Sequence, residues 1–338
     1  MYIFCPFFPI FLYSLLILFL ILYIIKISAM EIQTETGLKD ALKYLEEGQP
    51  AQAQGVISSL FEHELDCKEL SYTNRCCIFW IDSTRRLKNL SDLERGDRLL
   101  EDWKAFQLFL SREKYTYEPA LYAVHKGFFS SAIKLYSNLL DEKDPSHRAE
   151  ILKNMGICYK GLGDFENARN CLAEAISIYP NQASVLAQLA DCYSLCGEDR
   201  NGKVLFREAF FLDPEKIDID FLDSQLIKCL ISTTTEKGFT GKQLQYWIPI
   251  YGTLCGIFNI KRELTPQEAA RLSRNIYEME SEYKDPACNA ETLVPRMLNS
   301  YFWLIDHYVL RHENVNKINE ILLRIKILDS SDYNAFVD

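Results

Sequence analysis

No two cysteines of this sequence stand as a Cys-x-x-Cys pair, although the chain has 11 of them. The count is odd, Cys76 and Cys77 are adjacent, and Cys158 and Cys192 hold equivalent helical positions. That layout argues against a disulfide framework and for free thiols packed in a reducing compartment. Cys192 and Cys196 lie one helical turn apart, but no further ligands stand near them, so packing is expected rather than a metal. The five histidines are scattered and none belongs to a His-Glu-x-x-His helix. Gly161-x-Gly163 lacks both a third glycine and a preceding strand, so it is no phosphate loop. Carboxylate pairs such as Glu46-Glu47 read as solvated helix faces. The expectation is a protein with no catalytic, cofactor-binding or metal-binding residues, and not an enzyme. Cations are in deficit as well: 37 Lys and Arg against 47 Asp and Glu give a net charge of −10. An acidic surface repels phosphate backbones, and no basic stripe interleaved with aromatics exists to counter it, so nucleic-acid binding is not expected. The Arg85-Arg86 pair with Lys88 reads as a solvated helix face. Strand-type alternation of useful length is also missing, which leaves helices.

What is present is a period. Leu152, Met155, Gly156, Tyr159, Gly163, Leu172, Ala175, Ile178 and Pro180 recur 34 places on as Leu186, Leu189, Ala190, Tyr193, Gly197, Phe206, Ala209, Leu212 and Pro214. A fixed period of this size marks a helical repeat array, in which each unit buries its apolar face against its neighbours. Leu152, Met155, Gly156 and Tyr159 form one stripe of an amphipathic helix. Gly163 and Gly197 follow the last apolar turn and suit the left-handed conformation that ends a helix. A second stripe runs through Phe165, Ala168, Leu172, Ala175 and Ile178 until Pro180 stops it. Each unit is thus a helix hairpin.

These residues resemble the tetratricopeptide repeat family. The resemblance covers residues 149–216, where the second unit departs from the family pattern at Asp199 and Gly202. It implies an all-α, helix-hairpin solenoid wound as a right-handed superhelix. Residues 34–148 are expected to form degenerate hairpins of the same kind. Ala41, Tyr44, Gly48, Ala53, Ile57 and Leu60 keep the spacing. Gly127, Phe129, Ala132, Tyr136 and Leu139 read as a turn and a second helix, and Leu70–Leu87 and Leu93–Leu110 as longer helices. Residues 217–338 are expected to be an extra helical C-terminal region, with Ile219–Ile231 amphipathic and a break through Thr233–Thr235 and Gly238–Gly241. A possible degenerate terminal repeat runs through Phe302–Leu328, where Glu313 replaces the turn glycine.

Residues 1–29 form a separate hydrophobic segment. Nothing charged precedes Lys26, and the run is long enough to span a bilayer of roughly 30 Å. Three readings stand: an uncleaved membrane anchor, an extension upstream of a true start at Met30, or a cleaved signal peptide. The first makes the protein membrane-anchored with a cytoplasmic repeat domain; the second makes it cytoplasmic and soluble.

The resemblance implies a protein or peptide partner held in a concave groove lined by each unit's first helix. The positions that would line it are Glu150, Lys153, Ile157, Lys160, Ala187, Asp191 and Ser194. Family members that bind chaperone tails grip a carboxylate with a lysine and an asparagine one turn later. Lys153 matches the lysine, but Ile157 replaces the asparagine and the next unit offers Ala187 and Asp191, so that clamp is absent. The mixed, partly apolar lining points instead to an amphipathic helix or an extended segment. Function is therefore expected to be that of a scaffold for protein–protein interactions, tethered through the N-terminal segment. The alternative is a structural or assembly component of a cell-envelope complex with its repeats outside the cytoplasm.

Overall fold

Hydrophobic stripes at helical spacing become helices throughout the computed structural model, which describes residues 32–62 and 67–337. Among these residues there is no strand. Consecutive helices pack as hairpins, so the architecture is an all-α solenoid of the tetratricopeptide type. The chain divides into two compact units between Leu135 and Tyr136. The division falls before the first clear repeat because Tyr136 is already fastened to it: Asn154 Nδ2 donates to Tyr136 Oη at 3.2 Å.

In the first unit, helix α1 runs through 32–46, α2 spans Pro50–Phe61, α3 Lys68–Arg86, α4 Asp92–Leu110 and α5 Glu118–Ser137. Pro50 opens α2, where its missing N–H costs nothing. Ser91 and Glu94 close a reciprocal capping box at the start of α4. Trp80 of α3 and Trp103 of α4 stack with centroids 6.4 Å apart, and Phe106 and Phe128 complete an aromatic core. Gly127 makes no turn, contrary to the pattern reading: α5 is continuous through it. It is small because α1 crosses there, and a Cβ at Gly127 would lie 1.9 Å from the Leu45 carbonyl oxygen.

The second unit holds both clear repeats. They are α6 (Pro145–Gly161) with α7 (Phe165–Ile178), and α8 (Ala183–Leu195) with α9 (Asp199–Leu212). Gly163 and Gly197 sit at φ +77° and +80°, the left-handed turn that closes each hairpin. Ala168, Leu172 and Ala175 of α7 pack with Leu152 of α6 and with Val185 and Leu189 of α8, so the two repeats share one core.

Beyond α9 the chain makes two short 3-10 turns, Pro214–Lys216 and Ile219–Phe221. The helices α10 (Gln225–Glu236), α11 (Gly241–Leu254), α12 (Pro266–Glu282), α13 (Ala290–Leu310), α14 (Val315–Leu328) and α15 (Ser330–Val337) follow. The amphipathic helix expected from Ile219 begins only at Gln225. Of the break expected through Thr233–Thr235 and Gly238–Gly241, only the second part forms, between α10 and α11; the threonines are helical, each hydroxyl donating to the carbonyl one turn back. At the α13–α14 turn it is His312, not Glu313 as the pattern suggests, that fills the place a glycine would take, at φ +51°.

α9 is tied to the C-terminal helices by a polar network. Arg207 is ion-paired with Asp306 and stacked 4.5 Å from the Trp303 ring, while Lys261 Nζ lies 2.7 Å from Asp306 Oδ1. Arg262 Nη2 donates to Glu208 at 3.0 Å and to Glu268 at 2.9 Å.

The expectation of a membrane-anchored protein with a cytoplasmic repeat domain is not upheld. Among the described residues no helix is long and apolar enough to cross a membrane. Even α13, with 21 residues, carries Glu291, Arg296 and Asp306. Residues 1–29, on which the anchor reading rested, lie outside the described residues.

Candidate partner-binding face of the repeat pair

The first helices of the two repeats, α6 and α8, place the seven candidate positions in three different environments. Glu150 is exposed, and Lys153, mostly covered, is ion-paired with it. Ser194 turns toward its own hairpin partner: a Cβ built on Gly202 of α9 would lie 2.0 Å from Ser194 Oγ. The serine occupies the room that the family's usual alanine would need, which accounts for the glycine. The remaining four, Ile157, Lys160, Ala187 and Asp191, are buried.

What buries Lys160, Ala187 and Asp191 is the chain's own connection between α9 and α10. Lys160 is 5% exposed and Asp191 is fully covered. Lys160 Nζ donates to Asp191 Oδ2 at 2.6 Å, to Gln188 Oε1 at 2.7 Å and to the Phe221 carbonyl. Asp191 in turn accepts backbone N–H bonds from Asp223 to Oδ2 and from Ser224 to Oδ1, both at 2.8 Å. A buried carboxylate with a cation on one side and two amides on the other is fully compensated, which is the condition for keeping an ion pair out of water. Ala187 lies in the cluster that Ala183 and Ala190 form with Ile217, Leu222 and Ile227. The backbone is extended at Asp218 (φ −82°, ψ 94°) and Leu222 (φ −102°, ψ 118°). The face therefore holds an extended stretch of polypeptide, gripped through its backbone by side chains of α6 and α8.

Gln188, Phe221, Asp223 and Ser224 are parts of this arrangement that the repeat pattern does not single out. A signal for them is a break in phase: a third copy in register would start its first helix near 217, yet α10 starts at Gln225. The inserted stretch alternates apolar and acidic residues, Ile217-Asp218-Ile219-Asp220-Phe221. Cys192, the nearest thiol, donates to the Phe165 carbonyl at 3.4 Å. Cys196 is exposed, and no group of metal-ligating side chains occurs among the described residues.

Comparison with known proteins agrees with the helical repeat. A tetratricopeptide repeat family model matches residues 149–182. The chain is similar to the photosystem I assembly protein Ycf3 of Prochlorococcus marinus (strain NATL1A), at 36% identity over 95 residues, 27% of this chain and 55% of that protein. It is also similar to the protein of the same name from Synechococcus sp. (strain CC9605), at 34% identity over 89 residues, 26% of this chain and 51% of that one. The chain spans about half the length of the curated relatives it matches. Residues 149–182 thus match a tetratricopeptide repeat.

Proposed function

We propose that this protein assists the assembly of a multiprotein complex by holding an extended segment of a partner polypeptide on the first-helix face of its repeat pair. The assembly role rests on the names of the matched relatives, which cover the repeat region and only about half of those proteins. The observation that carries the choice of face is chemical. Lys160 and Asp191 hold the covering stretch through a backbone carbonyl and two consecutive backbone amides. Such bonds recognise extended polypeptide of many sequences, while the small side chains Ala183, Ala187 and Ala190 leave room for large apolar ones. Glu150 and Lys153 mark where the same face meets solvent. The scaffold needs no chemistry of its own.

Site-specific photocrosslinking in the native host tests this. A photoreactive residue at Glu150 or Lys153 should trap a polypeptide, whereas one at the exposed Glu166 or Asn170 of α7, on the second helix, should not. Crosslinks confined to α7, or to the C-terminal helices, would move the partner off this face.

A further inference from the structure

The stretch that covers the repeat pair is held in a way that permits exchange. Its N-terminal end is fixed by α11: Gln245 Nε2 donates to the Ile217 carbonyl at 2.7 Å, and Tyr246 Oη to Glu215 Oε1 at 2.8 Å. Its C-terminal end becomes α10 at Gln225. Between these points residues 218–224 contain one 3-10 turn, with extended backbone at Asp218, Leu222 and Ser224, and backbone bonds to Lys160 and Asp191 join them to α6 and α8. Phe221 and Leu222 face inward, 5% and 2% exposed. Asp220 and Asp223 face water, and Asp223 Oδ1 lies 2.9 Å from Lys228 Nζ.

Two physical features separate this from ordinary core. A buried ion pair is close to break-even against water, because desolvation offsets most of the attraction. When residues 218–224 lift away, Lys160 and Asp191 stay paired and regain solvent, so no orphaned charge opposes the opening. The apolar part of the hold is then carried by Phe221 and Leu222 with the partly buried Ile219, which a competing segment can replace side chain for side chain. Resting on the proposal that this face binds the partner, we infer that residues 218–224 are an internal ligand of the repeat pair. A partner displaces them with an extended segment of the same chemistry, large apolar side chains interleaved with carboxylates. The short tether gives the internal ligand a high effective concentration, so only a partner that matches it well, or is itself locally concentrated, gains the site. The device keeps the apolar stripe of α8 covered until such a partner arrives.

Hydrogen exchange on the full chain, combined with a synthetic peptide spanning Ile217–Ser224 as the probe, tests this. The Asp223 and Ser224 amides should exchange at least about tenfold faster than the Ala190 amide in the middle of α8, because they open locally and not with the whole unit. Adding the capped peptide should speed them further while leaving α8 protected. In fluorescence anisotropy the labelled peptide should bind the Phe221→Ser, Leu222→Ser variant about tenfold more tightly than the native chain, because the internal competitor is weakened. Equal protection of Asp223, Ser224 and Ala190 in the native chain overturns the inference, whatever the variant does. So does a peptide that binds both proteins equally or neither, provided the variant keeps the native circular dichroism. If partner crosslinks at Glu150 and Lys153 persist while Asp223 and Ser224 stay protected in the complex, the binding face stands and displacement fails. Without such crosslinks the face itself is the wrong one.

Discussion

Replacing Lys160 with methionine keeps the length and apolar stem of the side chain and removes only its charge. In the native protein the ammonium has three acceptors: Asp191 Oδ2 at 2.6 Å, Gln188 Oε1 at 2.7 Å and the Phe221 carbonyl. Its side chain is 2% exposed and that of Asp191 is fully buried. Lys160→Met therefore leaves a buried carboxylate without a cation, which typically costs about 3–5 kcal/mol. The amides of Asp223 and Ser224 still serve Asp191, which puts the expected loss near the lower end, at about 3 kcal/mol. For a domain of this order of size that corresponds to a fall in melting temperature of roughly 6–12 °C. The pair is best isolated with a cycle. Asp191→Leu orphans the lysine and the two amides, whereas Lys160→Met with Asp191→Leu orphans only the amides and the lesser acceptors. The double variant should then be more stable than the sum of the single losses by about 2 kcal/mol. Thermal and urea unfolding followed by circular dichroism measure all four proteins, with Lys39→Met, at a fully exposed pair with Glu35, as the control that should not move. A Lys160→Met protein that melts with the native chain, or a cycle with no coupling, would refute the buried pair.

Three further outcomes are expected. Gly202→Ala should cost about 1–3 kcal/mol through the clash with Ser194 Oγ. Adding Ser194→Ala should recover most of that loss, since the hydroxyl is buried without a partner; no recovery in urea unfolding would mean that the helices themselves must move apart. Arg262 beside Glu268 holds that carboxyl down at about 2, below its ordinary 4.5. A depressed acid stabilises the fold above its unfolded value and loses that contribution as pH falls from about 4.5 towards 2, so Glu268→Gln should flatten this part of the acid-unfolding curve. Burial pushes the Cys76 and Cys77 thiols up to about 12 and raises Cys158 as well, while Cys196, Cys229 and Cys255 are exposed. Ellman's reagent should therefore titrate the exposed three in the native protein and reach Cys76, Cys77, Cys158 and the likewise buried Cys192 only on unfolding.

The hairpins were legible because their signals are local. Leu152, Met155 and Tyr159 repeat on one face of a helix, and Gly163 and Pro180 mark its turn and stop whatever surrounds them. Gly127 is illegible for the complementary reason. A glycine between two apolar helical runs looks like a turn to any pattern, and only the crossing of α1, some eighty positions earlier in the sequence, shows that the missing side chain makes room for a backbone carbonyl. The threonine run at 233–235 misled in the same way, since hydroxyls that cap i−4 carbonyls inside a helix have the composition of a break.

The binding face is harder to read, because periodicity treats its seven positions as though the array were empty. Periodicity says which side of α6 and α8 faces away from the hairpin partner; it does not say what lies on that side. Lys160 and Asp191 are charged, and a charge at an outward position of an amphipathic helix reads as solvated. Here the charges are outward and buried together, because residues 217–224 supply the carbonyl and amides that complete them. A lysine at one repeat's groove position and an aspartate at the next repeat's are 31 residues apart and would be unremarkable on an open surface. They become informative only beside an insertion that breaks the 34-residue phase and alternates Ile, Asp, Ile, Asp and Phe. In a repeat array, a departure from the period is thus the place to look for what occupies the groove.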